Sequence, residues 1–134
     1  MGSYPGRLVL LVEDDRDGRR LFAEWLEQAG FQVAATHNGR QALERAIEVA
    51  PDVVVTDLYI PGIDGYELTR RLKNDPRTRH IPVIAVTGYA PYAQDPTRAE
   101  RAGCDAILPK PCTQEDLHDA IRSVIDGHRR PRTA

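Results

Sequence analysis

The chain has few cysteines, no long apolar run and no large excess of charge of either sign. Its two cysteines, Cys104 and Cys112, stand outside any metal-ligand spacing and have no histidine cluster nearby, so two reduced thiols in a cytoplasmic protein are expected. Nothing approaches the roughly 18 consecutive apolar residues of a membrane span, and the N-terminus shows no signal-peptide pattern. A formal net charge of −2 gives no electrostatic ground for nucleic-acid binding. No internal repeat, low-complexity tract or second domain is visible. What remains is the composition of a soluble globular protein, 41% hydrophobic and 28% charged, and its 134 residues suffice for one domain with a real core.

The most informative stretch is Val53-Val54-Val55-Thr56-Asp57-Leu58-Tyr59-Ile60-Pro61-Gly62-Ile63-Asp64-Gly65. Three consecutive β-branched apolar residues without polar alternation predict a strand buried on both faces. It runs directly into an acid, Asp57, and is closed by the turn dipeptides Pro61-Gly62 and Asp64-Gly65. A carboxylate at the exit of a buried strand is costly unless something pairs or uses it.

Four more strands fit the same pattern. Leu8–Val12 ends in Glu13, Asp14 and Asp15; Phe31–Ala35 alternates weakly; Ile81–Val86 delivers Thr87 and Gly88; Ala106–Leu108 runs into Lys110-Pro111. Between them lie amphipathic helical patterns. The first carries Leu21, Phe22, Trp25, Leu26 and Ala29 inward and stops at Gly30; the second begins at Asn38-Gly39, carries Ala42, Leu43, Ala46 and Ile47, and stops before Pro51. Asp64 predicts an N-cap for a third, packing Tyr66, Leu68 and Leu72 and broken by Asn74-Asp75-Pro76. Pro91 and Pro96 delay the fourth to about 97–102. Thr113-Gln114-Glu115-Asp116 has capping-box spacing for the last, with Leu117, Ile121, Val124 and Ile125 inward and Gly127 as its end. Five strands strictly alternating with five helices specify an α/β fold, a doubly wound parallel sheet.

All strands of a parallel sheet exit on one edge. Glu13, Asp14, Asp57, Thr87 and Lys110 therefore converge there, where ligands of open α/β sheets bind. Three acids so close would raise each other's pKa unless a cation neutralised them. Mg²⁺ suits the site: it needs only one or two carboxylates, keeps waters and completes its shell with phosphate oxygens. Lys110 would supply a point charge to a phosphoryl oxygen, Thr87 a hydroxyl donor, and Asp57 the nucleophile that becomes an aspartyl phosphate.

From about Arg7 to Ile125 the sequence resembles a two-component response-regulator receiver domain. The resemblance rests on Val12-Glu13-Asp14-Asp15, Asp57 with Ile60-Pro61-Gly62-Ile63-Asp64-Gly65, Thr87-Gly88, Ala102-Gly103-Cys104-Asp105 and Lys110-Pro111, in order and at matching spacing. It implies a flavodoxin-like sheet in the order 2-1-3-4-5, with the receiver over residues 7–126, an extension at 1–6 and a short basic tail at 127–134. It implies Asp57 as phosphoacceptor, Asp14 as direct Mg²⁺ ligand, Glu13 reaching the metal through water, and the backbone carbonyl of Tyr59 as a third protein ligand. Thr87 and Lys110 would bind the phosphoryl group, and Lys110-Pro111 would be a cis peptide bond aiming the amine inward. Asp15 is read as a solvated neighbour or helix-start charge, not a ligand.

Two features depart from the family pattern. Ile107 stands where the family's signalling aromatic does, so either the usual threonine–aromatic coupling is altered or Ile107 simply packs on the edge strand. Tyr59 and Tyr89 lie two residues after Asp57 and Thr87; their rings either restrict the attacking water or lie outward on loops.

The resemblance implies a module that takes a phosphoryl group from a histidine kinase or histidine phosphotransfer protein and switches binding of an output partner, as a monomer or a phosphorylation-dependent dimer. It would contact neither nucleic acid nor membrane and would catalyse only its own phosphotransfer and dephosphorylation, in the cytoplasm. An aspartate-nucleophile phosphatase is disfavoured because such enzymes place a second acid where this chain has Tyr59. A receiver-like fold without phosphorylation is disfavoured by Asp14, Asp57, Thr87 and Lys110.

Overall fold

The computed structural model describes residues 7–88 and 96–129. Among them the strands are β1 (Leu8–Val12), β2 (Gln32–Thr36), β3 (Val53–Asp57), β4 (Val83–Thr87) and β5 (Ala106–Pro109). The helices are α1 (Arg16–Gln28), α2 (Gly39–Val49), α3 (Gly65–Asn74), α4 (Pro96–Ala102) and α5 (Gln114–Arg129). The sheet is parallel with strand order 2-1-3-4-5, as expected from the sequence.

The apolar runs of the central strands explain why both faces are covered. Val9, Leu11, Val53, Val55, Ile84 and Val86 point to one side, where α1 and α5 bring Phe22, Leu26, Leu117 and Ile121. Leu10, Val12, Val54 and Val83 point to the other, against Ala42 and Ala46 of α2 and Leu68 and Leu72 of α3. The two-residue period of a strand thus feeds two cores from one run. A smaller cluster of Leu58, Tyr66, Ala85, Ala99 and Ala102 joins α3 and α4, with Ile107 packed against it.

Helix starts follow the capping chemistry of the sequence. Asp15 accepts from Gly18 N, Asn38 from Gln41 N and Asp64 from Glu67 N, each at 2.8 Å. Thr113 and Asp116 exchange reciprocal side chain-to-backbone bonds at 3.0 Å, the expected capping box with aspartate in the acidic position. Ala50 ends α2 in the left-handed region, φ 46°, a conformation consistent with the bar that the following Pro51 places on right-handed helix.

Four details differ from expectation. Helix α5 continues through Gly127 to Arg129. Leu21 is exposed at the rim of α1, whose sheet-facing stripe is the narrower Phe22 and Leu26. Strand β2 is displaced by one residue, from Phe31–Ala35 to Gln32–Thr36. Strand β4 starts at Val83 because the Ile81 amide bonds back to the Thr78 carbonyl in a turn and Pro82 has no amide to offer a ladder.

Candidate functional site

The carboxyl ends of β1, β3, β4 and β5 bring the expected side chains to one rim. A cleft of about 450 Å³ is lined by Glu13, Asp14, Asp15, Asp57, Tyr59, Thr87, Gly88 and Lys110. Register explains the convergence: Val12 is level with Thr56, Asp57 with Val86 and Thr87 with Pro109, so the residues that end the four strands sit side by side.

Lys110 ties the site together. Its Nζ donates to Asp57 Oδ2 at 2.8 Å and also to Glu13 Oε1. The Lys110-Pro111 peptide is cis, as the resemblance implied. Burial alone would lower the ammonium's pKa, but the hydrogen bonds to Asp57 and Glu13 outweigh it and hold Lys110 above its ordinary value. Glu13 is 2% exposed, and burial raises its carboxyl above the ordinary range while the bond from Lys110 pulls the other way. Asp57 Oδ1 accepts from the Tyr59 amide at 2.9 Å, so both carboxylate oxygens of Asp57 are oriented.

Glycines make room for this arrangement. A Cβ on Gly65 would lie 2.4 Å from the Asp57 carbonyl oxygen and 2.6 Å from Leu58 Cα, so only glycine lets the start of α3 approach the end of β3. A Cβ on Gly88 would press on Lys110 Cβ at 3.1 Å.

The donor set fits Mg²⁺. Glu13, Asp14 and Asp57 each offer a carboxylate oxygen, all within 4.8 Å of one another. That spread is only slightly wider than the about 4.2 Å across an octahedral Mg²⁺ shell. Asp14 is exposed, and among the described residues no side chain hydrogen-bonds its carboxylate, whereas Glu13 and Asp57 share Lys110.

The remaining expected residues fall as follows. Thr87 is buried at the end of β4 and lines the cleft; its backbone carbonyl accepts from Lys110 N at 2.9 Å. Tyr59 lines the cleft but is 64% exposed. Asp15 is the N-cap of α1. Ile107 is half-buried and packs against the Leu58–Tyr66–Ala85 cluster. Tyr89 and Pro91 lie outside the described residues. Burial raises the pKa of both Cys104 and Cys112, so neither thiol is poised as a thiolate.

Sequence reasoning missed Lys73 and Arg19. Lys73 Nζ donates to Asp105 Oδ2 and to the Ile81 carbonyl, both at 2.9 Å, while Asp105 Oδ2 also accepts from Val83 N at 2.8 Å. This clamp joins α3, β4 and the start of β5. One signal was present: Lys73 and Lys110 are the two lysines of a chain otherwise supplied with arginine, and both turn inward onto carboxylates. Arg19 Nη1 donates to the carbonyls of Glu13 at 2.9 Å and Asp14 at 3.4 Å.

The family model of the response regulator receiver domain matches residues 9–122. The chain belongs to that family. The polar-differentiation response regulator DivK of Brucella anthropi is 38% identical over 117 residues, covering 87% of this chain and 94% of the relative. A sensor protein from Polaromonas sp. JS666 superposes with a TM-score of 0.85 at 30% identity, over 92% of this receiver and 99% of that chain. The receiver domain of a sensor histidine kinase from Pseudomonas aeruginosa PAO1 gives a TM-score of 0.83 at 29% identity, over 90% and 98% of the two chains. That structure has a magnesium ion coordinated in its active-site cleft. Family and fold thus agree on a receiver domain of two-component signalling. Among the described residues, no helix is long and apolar enough to cross a membrane.

Proposed function

We propose that this receiver is a phosphoacceptor in which Asp57 takes a phosphoryl group from a phosphohistidine. The observation that carries the reading is the meeting of Lys110 with Asp57 beside the Glu13–Asp14–Asp57 oxygens. In the transfer, a carboxylate oxygen of Asp57 bonds to phosphorus and the P–N bond breaks. Its electron pair stays with the imidazole, which takes up one proton and leaves as the neutral ring. Lys110 would follow the phosphoryl charge, and the Thr87 hydroxyl would donate to a phosphoryl oxygen. Asp14, Asp57, Glu13 and the Tyr59 carbonyl would hold Mg²⁺, which supplies neutralisation of the gathering negative charge.

The donor, a histidine kinase or phosphotransfer protein, must reach this rim. An apolar groove lined by Leu21, Phe22, Trp25, Pro111 and Cys112 opens beside Lys110 and shares Glu13 and Asp15 with the acidic cleft, which makes it the natural seat for that partner. The product switches binding of an output protein, with the receiver acting as monomer or phosphorylation-dependent dimer in the cytoplasm. It turns over no separate substrate: the position two residues after Asp57, where an aspartate-nucleophile phosphatase needs a second acid, holds Tyr59. The ring of Tyr59, which lines the cleft, would instead restrict water at the acyl phosphate and lengthen its life.

Incubation with acetyl phosphate tests the reading. Intact-mass measurement should show one phosphoryl adduct with Mg²⁺ and none without it. No adduct in either condition would leave a binding module that uses the fold without the chemistry. An unchanged phosphoryl lifetime in Tyr59→Ala would remove the role given to the ring.

A further inference from the structure

We infer that Arg19 is a positioning residue for the metal-binding loop, holding the Glu13–Asp14 backbone so that the two carboxylates stay aimed into the cleft. The inference rests on the Mg²⁺ reading proposed above. Its basis is where the guanidinium spends its hydrogen bonds. A cation beside three carboxylates would ordinarily pair with them and compete with a metal ion. Arg19 Nη1 instead binds two successive backbone carbonyls, Glu13 O at 2.9 Å and Asp14 O at 3.4 Å.

The rest of the loop is built to match. Asp15 Oδ2 caps the Gly18 amide at 2.8 Å, and the Arg19 amide donates to the Asp15 carbonyl at 2.9 Å, so the first turn of α1 is fixed on the loop that leads into it. The Asp15 amide donates to Glu13 Oε2 at 3.2 Å. A Cβ on Gly18 would lie 3.0 Å from Asp15 Oδ2 and 3.5 Å from Glu13 Oε1, so glycine admits this close return. Arg19, half-buried on the next position, closes the loop from its carbonyl side. Glu13 is held by Lys110 as well, whereas Asp14 is exposed and is anchored through its carbonyl by this backbone clamp.

Arg19 exerts two effects of opposite sign on a bound divalent cation. Its charge repels the ion, and its hydrogen bonds pre-organise the ligands. Positioning groups behind metal ligands typically govern about 10-fold or more in affinity. Arg20, the next residue, is an exposed arginine ion-paired to Glu24 at 3.6 Å, and it supplies a control with the same charge and no contact with the loop.

The experiment is a calorimetric titration of the unphosphorylated protein with MgCl₂, for wild type, Arg19→Gln, Arg19→Lys and Arg20→Gln, with far-UV circular dichroism of each. Arg19→Gln is expected to weaken Mg²⁺ binding about 10-fold. Arg19→Lys, whose single ammonium reaches one carbonyl, should fall between it and wild type, and Arg20→Gln should match wild type. Arg19→Gln binding Mg²⁺ as tightly as wild type, or more tightly, would overturn the inference alone. Arg19→Gln and Arg20→Gln weakening binding by equal amounts would overturn it too, since the lost charge and not the lost loop contacts would then be acting. A wild-type protein that takes up no Mg²⁺ would overturn the proposed function, and this inference with it.

Discussion

Lys110 and Asp57 lie 53 positions apart in sequence, yet the lysine Nζ rests 2.8 Å from the aspartate Oδ2 at the exit of the central strand. Glu13 completes the contact from β1. Replacing Lys110 by Met leaves two carboxylates facing each other, one of them 2% exposed. The expected loss is roughly 1–3 kcal/mol at pH 7, the cost of stranding charged acceptors, read from urea unfolding. An unchanged midpoint would show that the pair is not formed in solution.

Glu13 gives a pH dependence of definite sign. Its folded pKa is raised above 4.5, chiefly by burial. Its contribution to stability is therefore complete below about pH 4.5 and is lost as pH rises through the folded value. Glutamine keeps an acceptor oxygen for Lys110 and never ionises. Glu13→Gln should accordingly lose less stability than wild type between pH 4.5 and 7.5, measured by chemical denaturation at both. A steeper loss in the variant would reverse the assignment.

Asp105 holds Val83 N and Lys73 Nζ with one oxygen. Asp105→Ala strands the amide of fully buried Val83 and leaves the Lys73 ammonium with the Ile81 carbonyl but without its carboxylate, and should cost about 1–3 kcal/mol. Asp105→Asn, which retains an acceptor, should cost less. Equal losses in the two variants would mean that the acceptor is not what matters.

Gly65→Ala should destabilise by roughly 1–3 kcal/mol through overpacking, because the new Cβ meets the Asp57 carbonyl oxygen at 2.4 Å. Amide chemical shifts at Asp57 and Leu58 should move with it. A variant with wild-type stability and shifts would contradict the close approach of α3 to β3.

Much of this was legible in the chain because a buried parallel strand announces itself twice, by an uninterrupted apolar run and by the polar residue that ends it. Val12 to Glu13, Val55 to Asp57 and Val86 to Thr87 are such transitions, and one shared sheet edge brings them together. Caps were readable for the same local reason: Asp64 and Thr113 bond within four residues of themselves. What escaped was tertiary. Gly127 costs a helix about 1 kcal/mol, yet α5 continues because Ile121, Val124 and Ile125 already anchor it to the sheet. Leu21 matches the helical stripe but stands at its edge, over the groove beside Pro111 instead of in the core. Arg19 and Lys73 act on backbone carbonyls, and no periodicity marks a side chain for that task.

Whether Asp57 carries the phosphoryl group can be read by trapping the acyl phosphate. After incubation with acetyl phosphate and Mg²⁺, borohydride reduction converts a phosphorylated aspartate to homoserine, which peptide mass mapping locates. Wild type should yield homoserine at position 57 and Asp57→Asn none. Homoserine at Asp14 or another aspartate, or undiminished labelling in Asp57→Asn, would contradict it.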